Sequence, residues 1–512
     1  MSGLALLGLV MLIVMIGVIF VGFPISFTLL FLALTFGYFG LGEVVFSLAY
    51  FQTIGLMKEE LLAAVPLFIF MGFITEQAGL MERLFVAFRM LLAPLRGALF
   101  FVVILTAAVF AMATGIVGAA VTVLGIMASP IMVKTGYDGR LSAGAITAGG
   151  TLGILIPPSV MLIVMGPVLG VSVADLYAAA FGPGFLLAGL YLVYLALRCF
   201  FNPRLGPPVP KEERVSSLYQ LLHEVVIGVV PLIGLIAATL GSILAGLATP
   251  TEASGIGALG AMVLAIAYRK VTFAGLTRAL RNTMATSSMV LLLAVTSNIF
   301  GAVFARLGTA NWITESMLAL PFSPVAMLIV VLCLIFLLGW PFEWPAIILV
   351  FLPIFYPVMD ALKPQLSQSL GITPDMVMVW FGAVVAVVLQ TAFLSPPVAM
   401  SAYYLRQVVR EWSLATIYKG MFEFMILQVI AIALIVSFPP IATWFPEVLQ
   451  AEARAVRVEE VEEGASLEDY QPGGYGQQLR EALEGEEGET EDQEEEGAGE
   501  DLEEDELSNT KK

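Results

Sequence analysis

Apolar residues run along this chain in long blocks with few polar interruptions. Blocks near 4–22, 25–42 and 60–78 precede a longer one at 97–133. Others lie near 143–170, 176–200, 224–247, 254–268 and 283–305, then a second long one at 324–359, then 378–405 and 421–441. About 20 consecutive apolar residues suffice for a helix to cross a bilayer. Lipid offers no partners to main-chain N–H and C=O groups, so a spanning helix must close its own bonds. The pattern predicts an all-α polytopic membrane protein. The blocks at 97–133 and 324–359 are each too long for one span.

Charge fixes a topology for these blocks. Basic residues cluster at Arg83, Arg89 and Arg96; at Lys134 and Arg140; at Arg198, Arg204, Lys211 and Arg214; at Arg269, Lys270, Arg278 and Arg281; and at Arg406, Arg410 and Lys419. The positive-inside rule places all five groups in the cytoplasm. The block 97–133 then begins and ends on the cytoplasmic side, so it must be a hairpin that enters and returns. The block 324–359 becomes a second hairpin of opposite sense. The following loop, 361–377, agrees, with Lys363 its single basic residue. Both termini fall outside the cytoplasm, in the periplasm if the membrane is a bacterial inner membrane.

Composition sharpens the class. The chain has 512 residues, 59% hydrophobic and 13% charged, which excludes a soluble domain. Its net charge of −17 is concentrated at one end. From Glu447 onward there are 24 acidic and 5 basic residues, which leaves 17 acidic and 19 basic for the rest. The segment 446–512 reads as a disordered acidic tail, solvated and dispensable. Cys199 and Cys333 lie in or near apolar blocks, and His223 is the only histidine, so neither a disulfide framework nor a zinc site is expected. No nucleotide-binding glycine loop and no nucleophile–base pair appears, so no enzyme and no cofactor is expected. The apolar N-terminus lacks a basic n-region and a small-residue cleavage site, and reads as a first span.

One motif occurs twice. "GTLGILIPPSVML" covers Gly150 to Leu162, with Pro157 and Pro158 near its middle. "LQTAFLSPPVAMS" covers Leu389 to Ser401, with Pro396 and Pro397. Proline has no N–H to donate and clashes with the preceding turn, so each pair breaks a helix inside an apolar span. One pair alone would be an ordinary kink. Each pair follows a hairpin, and the two hairpins have opposite senses, which predicts an inverted repeat with broken helices near 143–170 and 378–405. Broken helices at matching positions in two halves are the best sequence pointer to a transporter's binding site. The first part is then 1–223, with hairpin 97–133, and the second 224–445, with hairpin 324–359.

The hairpins carry candidate chemistry of their own. "ATGIVGAAVTVLG" places Thr114, Gly115, Gly118 and Ala119 at or near the first tip, where small residues let backbones approach a ligand. Helix packing explains Gly118 equally well. The second turn, "LLGWPFEWPAI", is broken by Pro341 and Pro345 and puts the Glu343 carboxylate at membrane depth, a functional position by default. Trp340 and Trp344 are expected to pack or to lie at an interface. In "GLATPTEASG", Thr249 or Thr251 is expected to cap the next helix, with Glu252 near its N-terminus.

The stretches "TGYDGRLSAGAITAGGTLGILIPPS" (135–159), "GLATPTEASG" (246–255) and "LSPPVAMSAYYLRQ" (394–407) together resemble the large membrane subunit of TRAP transporters, the tripartite ATP-independent periplasmic transporters. The resemblance covers nearly all of residues 1–445. It implies sodium-driven uptake of organic acids (carboxylates) by an elevator-type transporter. It also implies two partners, a small four-helix membrane subunit and a periplasmic substrate-binding protein, and no nucleic acid. Sodium and substrate would be held between hairpin tips and broken helices. By matching motifs, Thr114, Gly115 and Gly118 stand at the first tip, and Gly149, Thr151, Gly153, Pro157, Pro158 and Ser159 form the first break. Gly339 and Glu343 stand at the second tip, and Gln390, Thr391, Ser395, Pro396 and Pro397 form the second break. Two departures stand out: the first tip is poor in serine, and Glu343 occupies a position expected to be aspartate. The same core fits a stand-alone sodium–carboxylate symporter or an anion channel. The first would not need a binding protein, and the second would pass current without sodium.

The topology makes a direct prediction. A cysteine placed after Glu484 reacts with an impermeant reagent in intact spheroplasts. Labelling only after lysis would mean that a span has been miscounted.

Overall fold

The computed structural model describes residues 3–208, 218–396 and 399–451. The acidic tail beyond 451 and Pro397 therefore lie outside the described residues. Among the described residues the secondary structure is helical throughout, with no strand. Ten helices there are long and apolar enough to cross a membrane, or eleven if one bent pair counts as a span.

The helices fall into two five-helix runs, each followed by one copy of the repeat. The first run is α1 (Gly3–Phe20), α2 (Ile25–Leu41), α3 (Val44–Met57), α4 (Ala64–Gln77) and α5 (Leu80–Leu92). The first repeat is α6 (Ala98–Thr114), α7 (Val117–Lys134), α8 (Gly139–Leu155), α9 (Val160–Leu169) and α10 (Val173–Phe201). A second run follows: α11 (Leu218–Ile236), α12 (Ser242–Leu244), α13 (Pro250–Ala267), α14 (Phe273–Arg306) and α15 (Thr309–Leu318). The second repeat is α16 (Pro324–Leu338), α17 (Trp344–Ala346), α18 (Leu352–Leu370), α19 (Pro374–Leu394), α20 (Met400–Val408) and α21 (Leu414–Ser437). A π-helical turn, Ile347–Phe351, joins α17 to α18, so Trp344–Leu370 is one helix.

Within one compact unit the helices form two densely packed groups, a first and a second body, joined where α6 packs on α5 and α4. In the first, α13 and α14 pack on α4, α14 also covers α2 and α3, and α11 lies on α5. In the second, α6 and α7 pack on α8, α21 packs on α8 and α19, and α20 packs on α7. The first hairpin and both broken helices belong to the second body, and the second hairpin packs on α19 there and on α14 and α15 of the first.

The second body's close packing depends on missing side chains. A Cβ on Gly420 (α21) would stand 2.1 Å from the Arg140 carbonyl oxygen and 2.8 Å from the Gly144 nitrogen of α8. The two main chains are thus in contact, as small residues permit between membrane helices. At one end of this contact Glu423 of α21 accepts from Arg198 at 3.0 Å and pairs with Arg140 and Tyr194.

Several expectations change at the level of elements. The chain between the spans predicted at 25–42 and 60–78 contains helix α3, and α5 and α15 are further helices that the span pattern missed. α5 carries Glu82, Arg83 and Arg89, so its mean hydropathy is low although one face is buried. The loop expected at 361–377 is mostly helix: α18 runs to Leu370, leaving only Gly371 to Thr373 before α19. The cap at Thr249 is a full capping box. The Thr249 hydroxyl accepts from the Glu252 N–H at 3.2 Å and Glu252 accepts from the Thr249 N–H at 2.8 Å. Thr251 instead donates to the Glu60 carbonyl at 3.1 Å, tying the start of α13 to the turn before α4.

Gly420→Ala should force α8 and α21 apart and lower the melting temperature in detergent, because overpacking typically costs about 1–3 kcal/mol. Gly189→Ala, on α10 with nothing within 4 Å of the added Cβ, should be neutral or mildly stabilising. Equal melting temperatures for Gly420→Ala and wild type would contradict this packing.

Candidate functional site

Chain geometry brings each hairpin tip to a helix break. α7 and α8 have nearly equal lengths, 18 and 17 residues, and four residues join them. Running antiparallel, they set the start of α7 level with the end of α8. The tip is Gly115–Ile116, and Gly115 adopts φ +60, a conformation open to glycine at little cost. A Cβ there would stand 3.4 Å from the Pro158 oxygen and 3.7 Å from the Gly153 oxygen. The first tip therefore rests on carbonyls of the first break. Likewise only three residues join α18 to α19, and Gly339 at the second tip abuts Ala392, where an added Cβ would meet the Ala392 Cβ at 3.1 Å.

The prolines determine which carbonyls are available. In a helix the carbonyl of residue i accepts from the N–H of i+4. Pro157 and Pro158 have none to offer Gly153 and Ile154, and Pro396 has none for Ala392. The Ile154 carbonyl is taken by the Ser159 hydroxyl. The Gly153 carbonyl faces the glycine of the hairpin tip instead. Across the break, α8 and α9 are bent by 46°.

Both tips and both breaks meet at one cavity of about 220 Å³. Its wall includes Gly115 to Gly118 from the first hairpin, Ile154 and Val160 from the first break, Glu343 to Pro345 from the second hairpin, and Phe393, Met400 and Tyr404 from the second break. The first body closes it with Ile69 of α4 and Thr286, Met289 and Val290 of α14. Four helices begin at this wall: α7 at Val117, α9 at Val160, the helix Trp344–Leu370, and α20 at Met400. Their first-turn N–H groups lack intrahelical acceptors and carry the positive ends of four helix dipoles. Among the described residues no Lys, Arg or His lines the cavity, and Glu343 supplies its one carboxylate.

The residues singled out from the sequence divide accordingly. Gly115, Gly118 and Glu343 line the cavity, Gly153 and Pro158 lie against Gly115 of its wall with Pro157 next in the break, and Gly339 abuts Ala392. Five hydroxyls are turned to main-chain carbonyls nearby: Thr114 donates to Phe110, Thr151 to Ala148, Ser159 to Ile154, Thr391 to Val388 and Ser395 to Thr391. Gly149 serves packing, with Ala107 of α6 3.2 Å from an added Cβ. Thr151 and Gln390 join a buried polar group behind the breaks, in which Gln428 donates to Gln390 at 3.5 Å and Tyr191 lies beside Gln428 and Thr151. Pro396 lies at the second break; its neighbour Pro397 is outside the described residues.

Sequence reading missed several wall residues. Trp344, expected to pack or to lie at an interface, lines the cavity. Tyr404 was passed over, although it follows Met400 by four residues and so shares its helix face. Thr286 stands in the hydroxyl run "ATSSM" of an otherwise apolar span, a signal the span pattern averages away.

The comparisons with known proteins agree with this architecture. Residues 12–441 match the family model described as tripartite ATP-independent periplasmic transporter, DctM component. The sialic acid TRAP transporter large permease protein SiaM of Vibrio cholerae is 28% identical over 84% of this chain and 96% of its own length. The C4-dicarboxylate TRAP transporter large permease protein DctM of Rhodobacter capsulatus is 27% identical over 88% of this chain and 100% of its own. The crystal structure of the Alcanivorax borkumensis YdaH transporter shares the fold, with a TM-score of 0.55 at 17% identity over 79% of this chain and 90% of that one. The chain belongs to the DctM family, the large permease component of the tripartite ATP-independent periplasmic transporters.

Proposed function

We propose that this permease imports an organic acid together with sodium, in a complex with a small four-helix membrane subunit and a periplasmic binding protein. The observation that carries the proposal is the convergence of four helix N-termini on a cavity whose one charged side chain is a carboxylate. Helix N-termini favour an anion. An organic acid placed about 6 Å from Glu343 is repelled by about 2–3 kcal/mol at an effective dielectric of 20. A cation held between the two carboxylates offsets that repulsion. The Gly153 carbonyl supplies a hard oxygen ligand beside the first tip, and Glu343 supplies a charged one. Sodium carried inward also does work, since each charge crossing 100 mV contributes about 2.3 kcal/mol.

The way the tips and breaks gather on one side of the cavity supports an elevator mechanism. The opposite wall comes from α4 and α14. Sliding that wall past the tips and breaks would expose the loaded site to either side without dismantling it. Relatives whose names give sialic acid and C4-dicarboxylates as their substrates support an organic anion as the cargo. The membrane is the plasma membrane of a bacterium, with both termini on its outer face.

Sodium-dependent uptake into proteoliposomes holding the permease, the small subunit and the binding protein tests the reading. Replacing Pro157 and Pro158 with alanine returns N–H groups to the Gly153 and Ile154 carbonyls. The sodium concentration for half-maximal uptake should rise about tenfold or more, since one lost ligand worth 1.4 kcal/mol is a factor of ten. Uptake by the wild type that is indifferent to sodium would overturn the proposal. An unchanged midpoint in the double-alanine variant would show that the break is an ordinary kink.

A further inference from the structure

We infer that the phenol of Tyr404 is the side chain that recognises the carboxylate of the substrate. The inference rests on the reading of the cavity as an organic-acid site and adds the group that selects the acid. Tyr404 lies one turn into α20, four residues after Met400, and both line the cavity. A Cβ on Gly118 would stand 3.0 Å from the Tyr404 Cζ and 3.3 Å from its Cε1 and Cε2. These are the atoms at the hydroxyl end of the ring. The hydroxyl end of the ring therefore lies over the second residue of α7, at the positive end of that helix, and within electrostatic reach of Glu343.

Some other tyrosines have their hydroxyls engaged, and Tyr191, whose buried hydroxyl also lacks a partner, does not line the cavity. Tyr177 donates to the Ser159 carbonyl at 3.4 Å and Tyr268 to the Ile227 carbonyl at 2.6 Å. The Tyr404 hydroxyl has no hydrogen-bond partner among the described residues. A half-buried phenol normally finds one. With no Lys, Arg or His on the wall, an anion here must be held by neutral donors. The α7 N–H groups and the Tyr404 O–H are adjoining donors of that kind, suited to the two oxygens of one carboxylate. Gly118 is what lets the ring reach that place.

Equilibrium binding of radiolabelled acids to the purified full-length permease with its small subunit tests the inference. The probes are N-acetylneuraminate and a panel of small hydroxy, oxo and dicarboxylic acids, each in sodium chloride. The probe bound most tightly by wild type is carried forward. Tyr404→Phe keeps the ring and should weaken its binding about ten- to a hundredfold, as loss of a hydrogen bond to a charged group does. Sodium binding measured without acid should stay at the wild-type value. Gly118→Ala should weaken the acid as well. The Gly118→Ala/Tyr404→Phe pair should bind no worse than Tyr404→Phe alone, because both act through one hydroxyl. Wild-type acid affinity in Tyr404→Phe, or a parallel loss of acid and sodium binding, overturns the role of the phenol. Failure of wild type to bind any probe in sodium overturns the functional reading itself.

Discussion

The structure depends on one constraint, that main-chain polar groups inside a membrane must find partners. Two proline pairs violate it by withholding N–H groups from carbonyls one turn earlier. At the first break the Ser159 hydroxyl satisfies Ile154, and the hairpin tip at Gly115 comes to lie against Gly153 and Pro158. At the second break Gly339 of the other tip lies against Ala392, whose carbonyl Pro396 leaves without its helical donor. The first break gives its hairpin tip carbonyls to rest on. Tip, break and connecting turn have matched lengths because α7 and α8 are antiparallel and joined by four residues.

Both units together put four helix N-termini and the Gly153 carbonyl around one small space. N-termini attract anions and carbonyls attract cations, so the same geometry serves both. Packing then keeps the unit whole. Gly420 against Arg140 and Gly144 locks α21 to α8, and the pairing of Glu423 with Arg140 and Arg198 holds the same helices at one end.

Much of the fold was legible because lipid imposes a strong and simple pattern. Spans, hairpins and breaks follow from apolar length, basic clusters and proline pairs. The elements missed are those where the pattern weakens. α5 is amphipathic and charged, and α18 extends past the apolar block through "DALKPQLSQS" to Leu370. Within the site, glycines and prolines were the legible residues, since their effect is on the main chain and can be argued from local chemistry. Side chains were not. Thr114, Thr391 and Ser395 have suitable hydroxyls, but each bonds back to its own helix, which sequence cannot reveal. Tyr404 and Thr286 enter the wall only because distant helices turn a particular face towards it.

The central claim is that one cavity holds an organic anion and sodium together. Thermodynamic linkage tests it most directly, because two ligands that stabilise each other must do so by the same factor. Calorimetric titration of the purified complex would give the affinity for the transported acid at low and high sodium, and for sodium with and without the acid. The account predicts that both ratios are large and equal. An acid that binds as tightly in choline chloride as in sodium chloride would contradict it.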